Sequence, residues 1–344
     1  MAYQFADGFD HYSTLSELWE TTSGTCTIGT AYRRFAPPSG LPGQGLYTSG
    51  YARKNLLSNQ ATLIPKVSFY ATALPPTSAE IFGLYDGTES QVAICITAAG
   101  AIAVYTGWAH VGGNILIGST GPGLVSANQW HGIEALITIG SSGSVEIWLD
   151  GAQVLSISGV NTQFSSNAFA NQLQVNDGTV PVYFDDVRVW DTSGTTQNAP
   201  LGASLQDSRL ITKLPSGAGA YAQFTPNGAS ANWQCVDDNP PDGDTSYVSG
   251  SSAGLMDAYD APTAGFSAAP AMVLARAYAR KDDAGTRQLA VGVDSGGHTA
   301  VGPTATLGSS YAFVDGCITE DPNTSAAWTA VGADGAQILI EEIA

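Results

Sequence analysis

Residues 129–159 read QWHGIEALITIGSSGSVEIWLDGAQVLSISG, and this stretch decides the fold. Along 132–139, Ile133, Ala135, Ile137 and Ile139 alternate with Gly132, Glu134, Leu136 and Thr138. That two-residue period is the mark of a strand with one buried face. After a turn at 140–143, Val145, Ile147 and Leu149 take one side, while Glu146 and Trp148 take the other. Asp150-Gly151 then supplies a two-residue hairpin turn, because such turns need left-handed backbone that Asp and Gly tolerate. A third strand follows at 152–158. Three strands joined by tight turns make an antiparallel meander.

Outward from the meander the same grammar continues. Short apolar runs bounded by Gly, Pro, Asn or Asp predict strands at 46–52, 62–70, 81–85, 91–97, 102–106, 114–117 and 182–190. The second half predicts strands at 209–213, 221–225, 245–248, 255–259, 271–280, 287–294, 298–304, 311–319 and 337–342. Residues 272–295 read as a hairpin turning at 281–285. The 40 glycines and 17 prolines scatter without a period, as expected of many turns. The fold class is therefore all-β, with two tandem β-sandwich, jelly-roll-like domains. The first spans 1–195, a polar linker occupies 196–205, and the second spans 206–344. No residue-level repeat relates the two.

The segment NQWHGIEALITIGSSGSVEIWLDGAQVLSISG at 128–159 resembles the core meander of concanavalin-A-like and laminin-G-like jelly rolls. The closing FDDVRVWDTSG at 184–194 is similar to the last strand of such domains in phage proteins. The segment from Pro200 to Gly250 resembles the continuation found in tailed-phage virion structural proteins. There, Leu201-Gly202 and a short segment containing Arg209 lead to Leu214-Pro215-Ser216-Gly217. Asn232-Trp233 and an acidic run ending in Asp244-Thr245-Ser246-Tyr247-Val248 come next. The opening DGFDHY at 7–12 fits the same proteins. The resemblance implies a structural component of a tailed-phage virion, in the tail tip or fibre region rather than decorating the capsid. Its partners would be other virion proteins, a homo-oligomer is expected, and contact with the host surface is implied. A lectin-like adhesin that binds host surface glycans is the alternative reading, and a glycoside hydrolase a distant third.

Composition narrows the classes. The chain of 344 residues carries only 12% charged residues and a net charge of −18. The 12 Lys and Arg form no basic stripe, so no direct nucleic-acid partner is expected. No run of about 18 apolar residues exists, so no membrane insertion is expected. The N-terminal MAYQFADGFDHY lacks a basic stretch followed by an apolar one, so the expected location is the host cytoplasm and then the virion. Cys26, Cys95, Cys235 and Cys317 form no CxxC pair, which argues against zinc and favours free thiols over disulfides.

Jelly rolls include glucanases, which carry a Glu-x-Asp-x-x-Glu strand with acid and nucleophile on one face. No such run exists here. Glu134 and Glu146 stand on separate strands, and strict alternation sends Asp185 and Asp186 to opposite faces, one of them free to orient a sheet-end loop. The histidines His11, His110, His131 and His298 accompany no Gly-x-Ser-x-Gly elbow. His131 reads as a packing residue and His110 as a loop residue. The expectation is a protein that is not an enzyme and needs no cofactor. Asp237, Asp238, Asp242 and Asp244 are candidate calcium ligands, although the Pro240-Pro241 pair favours a plain surface turn. Asp7 and Asp10 form a second such candidate. Tyr85, Asp86, Tyr105, Trp108 and Asn114 are the candidate sugar site, an aromatic platform with loop polar groups. Trp19, Trp148 and Trp233 read as packing residues.

Overall fold

A computed structural model describes residues 3–107, 114–196, 198–205 and 208–344. The chain folds into two compact units. The first comprises residues up to Asp10, Thr14–Ala36 and Gly43–Leu210, and the second comprises His11–Ser13, Pro37–Pro42 and Ile211–Ala344. Both are built from antiparallel strands, so the all-β class holds.

The meander forms as its alternation requires. Trp130–Thr138 pairs with Gly143–Leu149, which pairs with Ala152–Val160. Asp150 and Gly151 both adopt positive φ, 51° and 89°, the backbone a type I′ turn needs. Ile133, Ala135, Ile137, Val145 and Ile147 have no exposure at all, whereas Ser144, Glu146 and Trp148 are half-buried on the other side.

These strands belong to an eight-stranded sheet. Its order is Ala152–Val160, Gly143–Leu149, Trp130–Thr138, Thr62–Ala71, Val182–Asp191, Gly45–Thr48 and Cys26–Gly29, with Tyr3–Asp7 also on Val182–Asp191. A seven-stranded sheet faces it, ordered Ile115–Ser119, Ile102–Thr106, Glu89–Thr97, Ser78–Asp86, Ala170–Val175, Tyr51–Gln60 and Thr21–Ser23. Phe69, Phe184, Leu63 and Val67 from the first meet Phe82, Leu84, Ile94 and Leu173 from the second in a fully buried core. The predicted strand at 46–52 is two strands, broken where Gly50 passes Ser23. A Cβ on Gly50 would lie 1.6 Å from the Ser23 carbonyl oxygen.

The outer side of the eight-stranded sheet holds buried charge, and the chain covers it with its own next segment. Glu134 ion-pairs with Arg188, whose guanidinium lies 3.8 Å over the Trp190 ring. The other Glu134 oxygen accepts from the Leu201 amide at 2.7 Å. Asp186 accepts from Ser68 Oγ at 3.1 Å and from the Leu210 amide at 2.7 Å, and sits 3.8 Å from Lys66 Nζ. Arg34 Nη1 donates to the Ser208 carbonyl at 3.2 Å. Leu205 is fully buried over Gly132. The stretch expected to be a linker, 196–205, thus supplies the Leu201 amide to Glu134, and Leu210, expected to open the second domain, supplies its amide to Asp186. The alternation expected of Asp185 and Asp186 fails for a local reason. Asp186 has φ 52° and the register slips between Asp185 and Arg188. This bulge leaves both carboxylates buried, and Asp185 accepts the Arg34 amide at 2.7 Å. Burial, then the charge of Asp186, pushes the Asp185 carboxyl well above the usual range. Asp185 does orient a loop, the one containing Arg34.

In the second unit, Gly217–Ala222, Met256–Asp260, Gln337–Glu342, Gln288–Ser295 and His298–Val301 lie in that order in one sheet. The hairpin expected at 272–295 does not form. Val273–Ala279 pairs with Ala312–Ile318, and Gln288–Ser295 pairs with Gln337–Glu342 instead. The first pairing sets Arg276 opposite Asp315, bound through Nη2 at 2.7 Å, and Tyr278 opposite Phe313 at 4.7 Å. Those cross-strand contacts reward the long-range partner over the adjacent one. Ala275 and Val314 of this ribbon pack on Phe224, Tyr259, Leu289, Val291 and Ile340. The predicted strand at 209–213 is absent, since Leu210 spends its amide on Asp186. No helix among the described residues is long and apolar enough to cross a membrane.

Replacing Glu134 by Ala strands Arg188 in the interior, so unfolding stability measured in urea should fall by about 3–5 kcal/mol. The apolar double replacement Glu134→Leu with Arg188→Met should lose much less, and equal losses would show that the pair itself is not what matters.

Candidate functional site

Five neighbouring strands of the seven-stranded sheet bring their outward side chains into register. Gln174 stands opposite Arg53 on one side and Gly83 on the other, Gly83 opposite Ala93, and Ala93 opposite Tyr105. The next row out runs Asn55, Gln172, Tyr85 and Ser90. The alternate residues Leu173, Leu84 and Val92 point into the core.

A hydrogen-bonded network ties this face together. Glu80 is fully buried, accepting from Gln174 Nε2 at 2.8 Å and from the Tyr85 hydroxyl at 3.2 Å. Burial, with the nearby charge of Asp177 adding to it, pushes the Glu80 carboxyl well above its ordinary 4.5. Burial likewise raises the Tyr85 phenol, and it raises the Cys95 thiol opposite Glu80, so neither ionises readily. Gln174 Oε1 in turn accepts from Arg53 Nε at 2.7 Å. The half-buried Arg53 guanidinium rests 4.2 Å over the Tyr85 ring. Gly83 makes room for this arrangement, since a Cβ there would stand 2.9 Å from both Glu80 Oε1 and the Tyr85 ring. Gln174, Tyr85 and Ser90 are buried, so what reaches solvent here is the half-buried Arg53, Gln172 and Tyr105 and the exposed Asn55: a guanidinium, carboxamides and a phenol on rigid strands, groups suited to a polyhydroxylated ligand.

The expected sugar site is only partly assembled. Tyr85 is a buried member of the network and not an exposed platform, because Arg53 covers its ring. Asp86 accepts from Ser165 Oγ at 2.7 Å and from Asn167 Nδ2 at 2.9 Å, fastening the 161–169 loop. Tyr105 is half-buried, its hydroxyl 3.3 Å from Ser78 Oγ. Asn114 is half-buried beside Gly107. Trp108 and His110 lie outside the described residues. Arg53, Glu80, Gln172 and Gln174 escaped the sequence reading. The alternation of Gln172 and Gln174 with Leu173 and Val175 in ANQLQV was the signal that marks this face.

Other candidates resolve into structural roles. Asp244 turns to Arg280 at 2.9 Å and to the Tyr311 hydroxyl at 2.8 Å, while Asp238 and Asp242 both accept from Ser246. Among the described residues no three His, Cys, Asp or Glu side chains gather to hold a metal, so the calcium set Asp237, Asp238, Asp242 and Asp244 is not assembled. Asp7 accepts from the Phe9 amide and Trp19 Nε1, and Asp10 from the Gln44 amide. His131 is buried, its Nδ1 at 2.7 Å from Asp150. All four cysteines are free thiols. On the outer side of the eight-stranded sheet, Trp130, Tyr70, Tyr183 and Tyr47 form an in-register row, with Tyr32 against Tyr47 and Tyr183. Tyr70 and Tyr183 stack at 5.1 Å and 5°, so their ring faces are largely spent on each other.

No protein-family model matches the sequence, and no curated protein matches it. Among solved structures, an endo-β-1,4-glucuronan lyase from the fungus Trichoderma reesei is 16% identical, with 55% of this chain and 95% of the lyase covered and a TM-score of 0.38. A carbohydrate esterase from a Shiga toxin-encoding bacteriophage is 17% identical, with coverages of 54% and 99% and a TM-score of 0.35. A carbohydrate-binding module from Bacillus subtilis is 12% identical, with coverages of 48% and 95% and a TM-score of 0.32. Likenesses this distant assign neither an activity nor a ligand. They do overturn the expectation that the chain is not an enzyme. Two of the three are named as enzymes, a lyase and an esterase. The absence of a glucanase carboxylate run and of a serine elbow therefore excludes two arrangements of groups, not catalysis.

A carboxyl whose folded pKa lies above its unfolded one holds its proton longer in the folded state, so stability falls as pH rises past 4.5. Glu80→Gln should remove that loss, giving a flatter dependence of the urea midpoint between about pH 5 and pH 8. A slope identical to that of the unaltered protein would show that Glu80 does not titrate in this window.

Proposed function

We propose that this chain is a glycan-binding β-sandwich protein of a tailed-phage particle, in the tail tip or fibre region, where it contacts host surface glycans. The observation that carries the glycan reading is the set of side chains that reach solvent from this side of the sheet, Arg53, Asn55, Gln172 and Tyr105, on strands held in register. Sugar hydroxyls need donors and acceptors held at fixed spacing, and strands locked by the Glu80 network hold them better than loops would. Tyr105 adds a half-buried aromatic ring at the end of the row.

The particle reading is supported by the order of motifs from Leu201 to Val248. Their residues act as fixers of the fold. Asn232 Nδ2 donates to Asp257 at 2.6 Å and to the Phe224 carbonyl at 2.9 Å, and Asp244 anchors Arg280. Other virion proteins and further copies of the chain are the proposed partners, and the virion the proposed location.

The full chain applied to a glycan array should bind a restricted set of glycans, and Tyr105→Ala should weaken that binding at least about ten-fold, or roughly 1.4 kcal/mol, with an unchanged urea midpoint. Binding unaffected by this replacement would place the site elsewhere, and no binding would sink the glycan reading. Immunogold labelling of intact particles should mark the tail, whereas label on the capsid would contradict the tail assignment.

A further inference from the structure

Arg53 stands apart from most cations in this acidic chain. Arg34, Lys54, Lys66, Arg188, Lys213, Arg276, Arg280 and Arg287 all lie within ion-pair distance of a carboxylate. Arg53 does not. Its Nε is held by Gln174 and its plane lies on Tyr85, with Tyr51 at 5.2 Å on the same guanidinium. Those contacts orient the group without neutralising it. Glu80 is the acid behind this network, yet Gln174 and Tyr85 occupy its oxygens, and burial favours its uncharged form. Two atoms in the adjacent row also lack a partner among the described residues, Ser90 Oγ and Gln172 Oε1. Gln172 Nε2 donates to Asn55 Oδ1 at 2.7 Å, but Gln172 Oε1 is buried and accepts nothing. Native proteins leave few such atoms unsatisfied, and one beside a polar sheet face calls for a donor from outside the chain.

We propose that the glycan bound on this face is acidic, and that Arg53 receives the carboxylate of a uronic acid residue. The inference rests on the glycan reading of the same face and names its substrate class. A guanidinium fork fixed at Nε leaves its Nη groups for two parallel hydrogen bonds to a planar carboxylate. A hydroxyl of the neighbouring sugar then supplies the donor that Gln172 Oε1 lacks. The net charge of −18 does not oppose this at working salt, since repulsion from distant acids is screened beyond about 8 Å at physiological ionic strength.

The test uses the full chain and calorimetry with three oligosaccharides of equal length: an oligoglucuronate, its carboxyl-reduced neutral counterpart, and a sulfated neutral chain. The oligoglucuronate should bind at least ten-fold more tightly than either of the others. Arg53→Ala should abolish that preference and Arg53→Lys should restore only part of it, because an ammonium cannot form the fork. Arg209→Ala, which removes an exposed arginine resting on Phe35, should leave binding unchanged. Equal binding of the neutral chain, still lost on Tyr105→Ala, overturns the acidic assignment while the glycan reading survives. Tighter binding of the sulfated chain overturns the carboxylate. An undiminished preference in Arg53→Ala removes Arg53 from the site, and no binding of any chain overturns both readings. Urea midpoints of each variant separate lost contacts from lost folding.

Discussion

A strand has two sides and a two-residue period, so a sandwich of two sheets can bury only half of its side chains in one core. Everything on the outer sides must be satisfied by water, by the rest of the chain or by a ligand. The first unit answers that demand differently on its two sheets. On the eight-stranded sheet the outer side is charged and covered by residues on either side of 206 and 207. On the seven-stranded sheet it is polar and hydrogen-bonded laterally from strand to strand, buried at Gln174, Gly83 and Ala93 and half-buried at Arg53, Gln172 and Tyr105. The candidate site lies where side chains of the seven-stranded sheet reach solvent, at Arg53, Asn55, Gln172 and Tyr105.

The closed face is energetically demanding. Glu134, Arg188, Lys66, Asp185 and Asp186 are all withdrawn from water, and burial, only partly offset by the charge of Asp186, lowers the Lys66 ammonium to about 8. Such charges contribute little net stability over apolar residues, but removing one partner costs several kcal/mol because the other is left uncompensated. Their contribution is to specify position. The amides of Leu201 and Leu210 meet particular carboxylate oxygens, which fixes where the segment lies on the sheet. The outer side of the seven-stranded sheet uses the same chemistry with the opposite outcome. There the buried acid is tied up by neutral donors, and the arginine in front of it meets a carboxamide and an aromatic ring.

How much of this was legible in the sequence depended on the range of the contacts involved. The meander and its Asp150-Gly151 turn were readable because alternation and turn chemistry are local. The strand Val182–Asp191 was readable from its apolar run. Cys26–Gly29 and Thr21–Ser23 were not, since segments of three or four residues are too short to show a period. The Asp186 bulge was invisible because alternation assumes a regular strand. The ribbon of Val273–Ala279 with Ala312–Ile318 failed because the deciding pairs, Arg276 with Asp315 and Tyr278 with Phe313, lie dozens of residues apart. For the site, Tyr105 was chosen for its aromaticity and lies on the face. Tyr85 was chosen for the same reason and proves to be a support beneath Arg53. Glu80 and Gln174 were missed because their roles arise only when five strands come into register.

The covered face also bears on inheritance. Modular proteins exchange parts by recombination, and an exchange is tolerated only where the junction separates groups that do not need each other. Residues 191–200 look like such a junction by composition. A crossover there would part Glu134 from the amide of Leu201 and Asp186 from that of Leu210, leaving two buried carboxylates short of a donor in any hybrid whose new segment does not follow the same path. The heritable unit of the first sandwich therefore extends through Leu210, and a foreign second unit can be joined only beyond it.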